Sequence, residues 1–236
     1  MDGALLEAFA DAEERHWWYR ERRWIIAREL RRLGTPGRAI EIGASGGGNC
    51  RTLVDHGWDV LATEYLHEGV AIARQRGMNA IQADARDLPL PSESFDLLIA
   101  FDVLEHIDDD TRAASEMYRV LRPGGTALIA VPAGMDLWSA HDEMNNHFRR
   151  YDREWLAKVV SGAGFAVDSV WSWNVLLRPV VKLRRHGSSE AENEHDVTQV
   201  NPIVNAALST IVKVERYLPV KSMRGVSLMM RAHRPR

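Results

Sequence analysis

Short apolar runs alternate with amphipathic stretches from Ala39 to Trp171, and no other feature narrows the folding options of this chain as much. Ala39–Ile42, Trp58–Thr63, Asn79–Gln82, Phe95–Ala100, Thr126–Val131 and Phe165–Trp171 read as strands. Between them Cys50–His56, Glu68–Arg76, a segment from Asp109 or Asp110 to Leu121, and Asp152–Gly162 read as helices, with residues 132–150 as a long loop. Strand followed by helix, repeated, predicts a parallel sheet covered on both faces. With a last edge strand at Gly225–His233, the expectation is an α/β fold: a doubly wound, mostly parallel seven-stranded sheet with helices on both faces.

The flanks carry different signals. Leu5, Leu6 and Phe9, then Trp17, Trp18, Tyr19, Trp24, Ile25, Ile26, Leu30 and Leu33, recur at roughly helical spacing and stop at Gly34-Thr-Pro-Gly37. Beyond residue 174 only Asn201–Tyr217 reads as an amphipathic helix, and His186–Asp196 is polar and acidic, as expected of a mobile linker. The organisation expected is one domain over 1–236: an N-terminal helical lid at 1–36, a ligand-binding core at 37–173, and a variable region at 174–236 holding a helical C-terminal insertion and a linker at about 186–196. A hydrophobic content of 45% is enough for a sizeable core, and a net charge of -3 gives no reason to expect nucleic acid. The single cysteine, Cys50, excludes an internal disulfide framework and fits the reducing cytoplasm. No secretory signal and no apolar run of about 18 residues is found.

A glycine-rich turn, Gly43-Ala-Ser-Gly-Gly-Gly48, follows the first strand. Glycine lets a ligand approach the backbone closely, and the open N–H groups of the next helix face that ligand. Three chemistries compete for it. A dinucleotide fold of the NAD-dependent oxidoreductase kind wants G-x-G-x-x-G, and Gly43, Ser45 and Gly48 lack its middle glycine, although Glu64 stands about 20 residues on where a ribose-binding acid belongs. A hydrolase elbow, G-x-S-x-G, is matched by Gly43–Gly47 with Ser45 as nucleophile, but it needs an oxyanion N–H from a loop after an earlier strand, and the turn here follows the first. A site for S-adenosylmethionine (SAM) uses the rest of the pattern. Glu64 can accept from both ribose hydroxyls, and Tyr65 can pack on the adenine. Asp84 can accept from the adenine amino group or merely cap a turn, and Phe101 can cover the other adenine face. All stand at carboxyl ends of strands, where open α/β sheets bind ligands.

The ordered set of motifs resembles the class I SAM-dependent methyltransferases, in their type 11-like small-molecule group. Glu41-Ile-Gly-Ala-Ser-Gly-Gly47 resembles E-x-G-x-G-x-G, with Ser45 in place of a usual glycine. Ala83-Asp-Ala-Arg-Asp-Leu-Pro-Leu-Pro91 resembles G-D-A-x-x-L-P-F. Phe95-Asp and Phe101-Asp-Val-Leu-Glu-His-Ile107 resemble F-D-x-V and V-L-E-H, and Leu121-Arg-Pro-Gly-Gly125 resembles L-K-P-G-G. His147-Phe-Arg-Arg-Tyr151 and Ala163-Gly-Phe165 continue the match, which covers about residues 16–173. The resemblance implies an enzyme that moves a methyl group from SAM to an O, N or C nucleophile of a small-molecule acceptor by in-line displacement. It implies a cofactor site of Glu41, Gly43, Ala44, Ser45, Gly47, Glu64, Tyr65, Asp84, Ala85 and Phe101 under a lid carrying Tyr19 and Arg22. Arg22, or failing it Arg23, is the fork-shaped partner for the methionine carboxylate. A SAM-binding partner protein without activity of its own is the remaining alternative.

A general base is needed where the acceptor is a hydroxyl or an acidic carbon, and His147, His141 and His106 are the candidates. His141, Asp142, Asn145 and His147 do not have H-E-x-x-H or other zinc spacing, so no metal is expected and they are read as lining the acceptor pocket. Arg149, Arg150 and Tyr151 either bind an anionic group there or form a solvated face. Residues 175–186 mix leucine and valine with cations around a proline expected to interrupt a helix. They suit ordinary packing or weak contact with a membrane surface, and the second option would bring a lipid-linked sugar or quinone as acceptor.

Overall fold

A computed structural model describes residues 15–185 and 201–236. The expected linker at 186–196 and the first apolar positions, Leu5, Leu6 and Phe9, lie outside the described residues.

Seven strands form one sheet: β1 (Arg38–Ile42), β2 (Asp59–Glu64), β3 (Ala80–Gln82), β4 (Phe95–Phe101), β5 (Leu121–Pro132), β6 (Ala166–Trp173) and β7 (Ser227–His233). Their order is β3-β2-β1-β4-β5-β7-β6. The first five pair in parallel, and β7 slots antiparallel between β5 and β6. The chain order therefore reverses between β1 and β4, the switch point at which open sheets leave a crevice at their carboxyl ends.

Alternation along the strands sends their apolar residues to two cores. Ile40, Ile42, Leu98 and Ala100 face the side covered by α4 (Asp110–Val120) and α6 (Arg153–Gly162), with Met117, Leu156 and Val160 buried there. Ala39, Leu97, Ile99 and Phe101 face the opposite side, with Ile25, Ile26 and Leu30 of α1 (Trp17–Leu33) and Leu53 of α2 (Gly48–Asp55). Each fully buried leucine or isoleucine contributes roughly 1.5–3 kcal/mol, so both faces need their helices. The helix α3 (His67–Gln75) completes the cover beside β2 and β3.

The N-terminal helix is fastened as well as packed. His16 caps it by accepting from the Trp18 N–H, and Gly34, at φ +78°, ends it. Trp18 stacks on Trp173 with ring centroids 5.4 Å apart. The helix α8 (Pro202–Glu215) clamps it from outside: Asn205 accepts from the Trp17 N–H, and Arg216 pairs with Glu21. Trp18 thus packs α1 against β6.

Three details differ from expectation. The strand β5 starts at Leu121, before the Arg122-Pro-Gly-Gly125 stop, because a register irregularity between Phe95 and Leu97 takes up those residues. Residues 132–150 are not all loop: a single 3-10 turn (Met135–Leu137) and α5 (Ala140–Met144), closed by a Ser139/Asp142 capping box, interrupt them. Pro179 does not break a helix; it sits in the first turn of α7 (Arg178–Arg185), where its missing N–H would have no partner anyway.

Candidate functional site at the carboxyl edge of the sheet

The glycine turn joins β1 to α2 in a backbone form that side chains resist. Gly43 has φ +69° and Gly47 φ +79°, and a Cβ on Gly43 would meet Val103 Cγ2 at 2.5 Å. Ser45 adopts φ +46° between them. Glu64, at the end of β2, fixes this shape. Its Oε2 accepts from the Ser45 N–H at 2.9 Å, and its Oε1 from the N–H groups of Tyr65 and Leu66 at 2.8 and 3.1 Å. An ionised carboxylate offers about four acceptor positions, so Oε2 keeps one. Tyr65, next in the chain, is 61% exposed. Ala44 is buried and ties to β2 through its N–H on Thr63 O at 3.0 Å.

Glu41 lies below the turn, buried. Its carboxylate accepts from Asn49 Nδ2 and Cys50 Sγ, both at 2.8 Å, so it moors the start of α2 to β1 through side chains. Asp84, past β3, is turned inward on its own loop. Arg86 grips it through Nη2 at 2.8 Å and Nε at 3.1 Å and donates its backbone N–H to Oδ1 at 2.8 Å. That grip holds the Asp84 carboxyl below its ordinary range. Ala85 beside it is buried.

At the end of β4 Arg22 has partners within the protein. Its Nη1 pairs with Asp102 Oδ2 at 3.0 Å and its Nη2 donates to Phe101 O at 2.9 Å. The guanidinium lies over the rings of Trp18 and Phe101, at 4.7 and 5.0 Å. Arg22 therefore anchors α1 to β4, and Phe101 is buried beneath it. Tyr19 packs edge-on against Trp18 one turn away from this anchor. Asp102 itself sits at φ +55°, a conformation costly for most residues and met near binding sites.

The histidines meet above β4 and β5. His147 Nδ1 lies 2.9 Å from Asp142 Oδ1, and its ring is 4.5 Å from that of His106 and 6.4 Å from that of His141. Surrounding protein, then the neighbouring His147, push the His106 pKa down to about 4, although part of that residue stays open to solvent. Asp142 is fully buried and also binds Arg150 Nε at 2.8 Å. Arg149 pairs with Asp110 at 2.7 Å, and Tyr151 donates to the same carboxylate at 2.7 Å; burial, and then that bond, drive its phenol pKa upward. The stretch 149–151 is neither a solvated face nor a free anion site; its charges are matched inside the protein.

Two acids of this region carry more than the motifs suggested. Asp142 orients His147, and Glu105, from the V-L-E-H match, is buried with both carboxylate oxygens lacking a hydrogen-bond partner. Burial, and next to it the Asp102 charge, raise the Glu105 carboxyl well above its ordinary value.

A methyltransferase domain family model matches residues 40–129, which hold the glycine turn, Glu64, Asp84 and the V-L-E-H segment. A phosphatidylethanolamine N-methyltransferase of Cereibacter sphaeroides is 35% identical over 189 residues, covering 76% of this chain and 80% of that protein. The chain belongs to the class I SAM-dependent methyltransferases. A "probable S-adenosylmethionine-dependent methyltransferase" of Mycolicibacterium smegmatis is 30% identical over 66% of this chain and 62% of its own length. The chain thus spans about three fifths of the first curated relatives it matches. A solved SAM-dependent methyltransferase of Mesorhizobium loti shares the fold, with a TM-score of 0.60 at 19% identity over 87% of this chain and 96% of that one. SAM is accordingly the cofactor, and the dinucleotide and hydrolase alternatives for the turn fall away. The donor set suits SAM: a carboxylate with a spare acceptor position for a ribose hydroxyl, an exposed aromatic next to it in the chain, and a glycine turn shaped for close approach.

Proposed function

We propose that this methyltransferase acts on a nucleophilic atom of a small-molecule acceptor held over the ends of β4 and β5, with His147 taking the acceptor's proton. SAM, when bound, supplies a methyl group already activated on a sulfonium. Gly43, Ala44, Ser45 and Gly47 would line its methionine end, Glu64 and Tyr65 its ribose and adenine, and Ala85 and Asp84 the far edge of the adenine. Asp84 can take that part only if Arg86 swings aside. The observation that carries the reading is the Asp142–His147 pair at 2.9 Å. A carboxylate on Nδ1 fixes the tautomer that leaves Nε2 free to accept a proton. His106 and His141 stand close enough to shape the pocket around it. The test is calorimetry with SAM and S-adenosylhomocysteine, followed by turnover on an acceptor panel with wild type and His147→Ala. Micromolar binding with a turnover loss of about 100-fold or more supports the proposal; NAD binding in place of SAM, or unchanged turnover in the variant, defeats it.

A second reading of the acceptor, an amphiphile at a bilayer surface such as a lipid headgroup, a lipid-linked sugar or a quinone, is favoured by the outer faces of α7 and α8. Leu183 is 79% and Ile203 80% exposed, and Val180, Val204, Val214 and Tyr217 are exposed with them. Arg178 and Lys182 of α7 meet Asp136, so the cations at the inner end of this face are partly spent within the protein. The relative from Cereibacter sphaeroides, whose name specifies a phospholipid, supports this acceptor class. No helix among the described residues is long and apolar enough to cross a membrane, so contact would be peripheral. Sedimentation with phosphatidylglycerol vesicles, lost in Leu183→Asp and Ile203→Asp, is the expected result; equal sedimentation of all three proteins removes this reading.

A further inference from the structure

Three side chains that no ligand spacing joins in the sequence meet beside the acceptor end of the site. One carboxylate oxygen of Glu105 and one ring nitrogen each of His106 and His147 lie within 4.8 Å of one another. Glu105 is 1% exposed, and neither of its oxygens has a hydrogen-bond partner. Its acidic neighbours are matched: Asp102 to Arg22 at 3.0 Å, and Asp142 to Arg150 at 2.8 Å. Glu105 is the carboxylate of this cluster left over, and an orphaned buried acid in a folded protein requires an explanation.

His147 is held from behind, with the Asp142 carboxylate on Nδ1, which leaves its Nε2 for a ligand. The His106 ring packs edge-on against it, with centroids 4.5 Å apart. An acid or carbonyl behind the imidazole is the outer support that metal-ligating histidines show.

We propose that Glu105, His106 and His147 form a binding site for a divalent transition-metal cation of the zinc or ferrous class. Two imidazoles and one carboxylate suit those ions, whereas magnesium and calcium prefer oxygen ligands throughout. Ligand atoms around a tetrahedral ion stand about 3.4 Å apart, so modest side-chain rotation closes the set. The solvent-open edge of His106 gives the ion its way in, and a three-ligand site leaves a position for a small molecule. Spacing rules miss the site because Glu105 and His106 are neighbours on one 3-10 turn, while His147 arrives from the segment after α5. The binding site stands on its own geometry; its use rests on the proposed methyl transfer. In the metal-free protein His147 is the base proposed above; with the ion bound, the cation would lower the acceptor's pKa in its place.

Chelator-stripped protein titrated with Zn²⁺, and separately with Co²⁺ followed by visible absorption, tests the site in wild type, Glu105→Gln, His106→Ala and His141→Ala. The expected result is one ion per chain at micromolar affinity or tighter and a Co²⁺ ligand-field band. Both should weaken by about 100-fold or more in Glu105→Gln and His106→Ala and persist in His141→Ala. S-adenosylhomocysteine binding by the same Glu105→Gln protein reports that it is folded. It also separates failure of the metal site from failure of the methyltransferase reading. No ion bound by wild type, or binding indifferent to Glu105 and His106, overturns the proposal.

Discussion

Asp142 Oδ1 is shared between His147 Nδ1, at 2.9 Å, and Arg150 Nε, at 2.8 Å. The other oxygen of the same carboxylate accepts from the Ser139 N–H at 3.1 Å and closes the cap of α5. One buried side chain thus orients a histidine, neutralises an arginine and starts a helix. Asp142→Ala leaves Arg150, 2% exposed, as an uncompensated buried charge, a loss of about 3–5 kcal/mol. At about 2–4 °C per kcal/mol for a chain of this size, the melting temperature should fall by roughly 10 °C. Asp142→Asn keeps the shape and should melt closer to wild type, yet lower kcat by about 10-fold or more with little change in KM. Equal kcat in the Asn variant would mean that His147 does not depend on Asp142 for its work.

The glycine turn can be probed by contrast. Gly34 and Gly43 both have positive φ, but an added Cβ meets nothing within 4 Å at Gly34 and Val103 Cγ2 at 2.5 Å at Gly43. Gly34→Ala, at φ +78° and ψ -129°, should cost about 1–3 kcal/mol, the backbone penalty alone. Gly43→Ala should cost roughly 1–3 kcal/mol more through overpacking. Urea midpoints give both numbers, and similar values for the two would show that Val103 yields without cost.

Much of this fold is legible in the sequence because each strand is a short apolar run with a turn signal at its end. Ile40 and Ile42 alternate with Ala39 and Glu41, and the two sets do go to opposite faces. The early start of β5 is not legible, since Pro123, Gly124 and Gly125 are turn residues locally, and only the pairing of Leu121 and Thr126 with β4 on either side of them carries the strand across. At the site, residue type and strand-end position point to Glu64, Asp84 and the histidines. What each side chain grips is beyond that signal. Arg22 is a plausible fork for a carboxylate on any count of its sequence neighbours, and its actual partner, Asp102, is set by how α1 crosses the sheet. Glu105 is hidden for the same reason: nothing local reveals that the acid of V-L-E-H points into the protein.

Glu116 gives stability a pH dependence away from the site. It binds Arg119 through both oxygens at 2.7 Å and accepts the Leu88 N–H at 2.8 Å, tying the loop before β4 to α4. The arginine holds its carboxyl below the ordinary value of 4.5. The folded form therefore binds this proton less well than the unfolded chain. The contribution is full above about pH 4.5 and is lost as pH falls through the depressed value. Glu116→Gln should lower stability at neutral pH and flatten the acid limb of a denaturation profile between pH 5 and 3. A limb of unchanged slope would assign that proton uptake elsewhere.

Glu64 is the residue at which fold and cofactor meet. Three backbone N–H groups, from Ser45, Tyr65 and Leu66, converge on its two oxygens. Glutamine at this position has one acceptor oxygen and turns an NH₂ toward at least one of those donors. Glu64→Gln should therefore destabilise the ligand-free protein by about 1–3 kcal/mol, because an N–H of the glycine turn or of the β2 end loses its acceptor. It should also weaken S-adenosylhomocysteine by roughly 10-fold or more, since a hydrogen bond from a ribose hydroxyl to a charged acceptor is worth about 1.5–3 kcal/mol. The two effects separate in one thermal-shift series. The melting temperature without ligand reports the turn, and the upward shift at fixed ligand concentration reports the affinity. A variant that melts low yet shifts as far as wild type would leave Glu64 a structural residue only. One that melts normally but fails to shift would place its whole contribution in the cofactor contact.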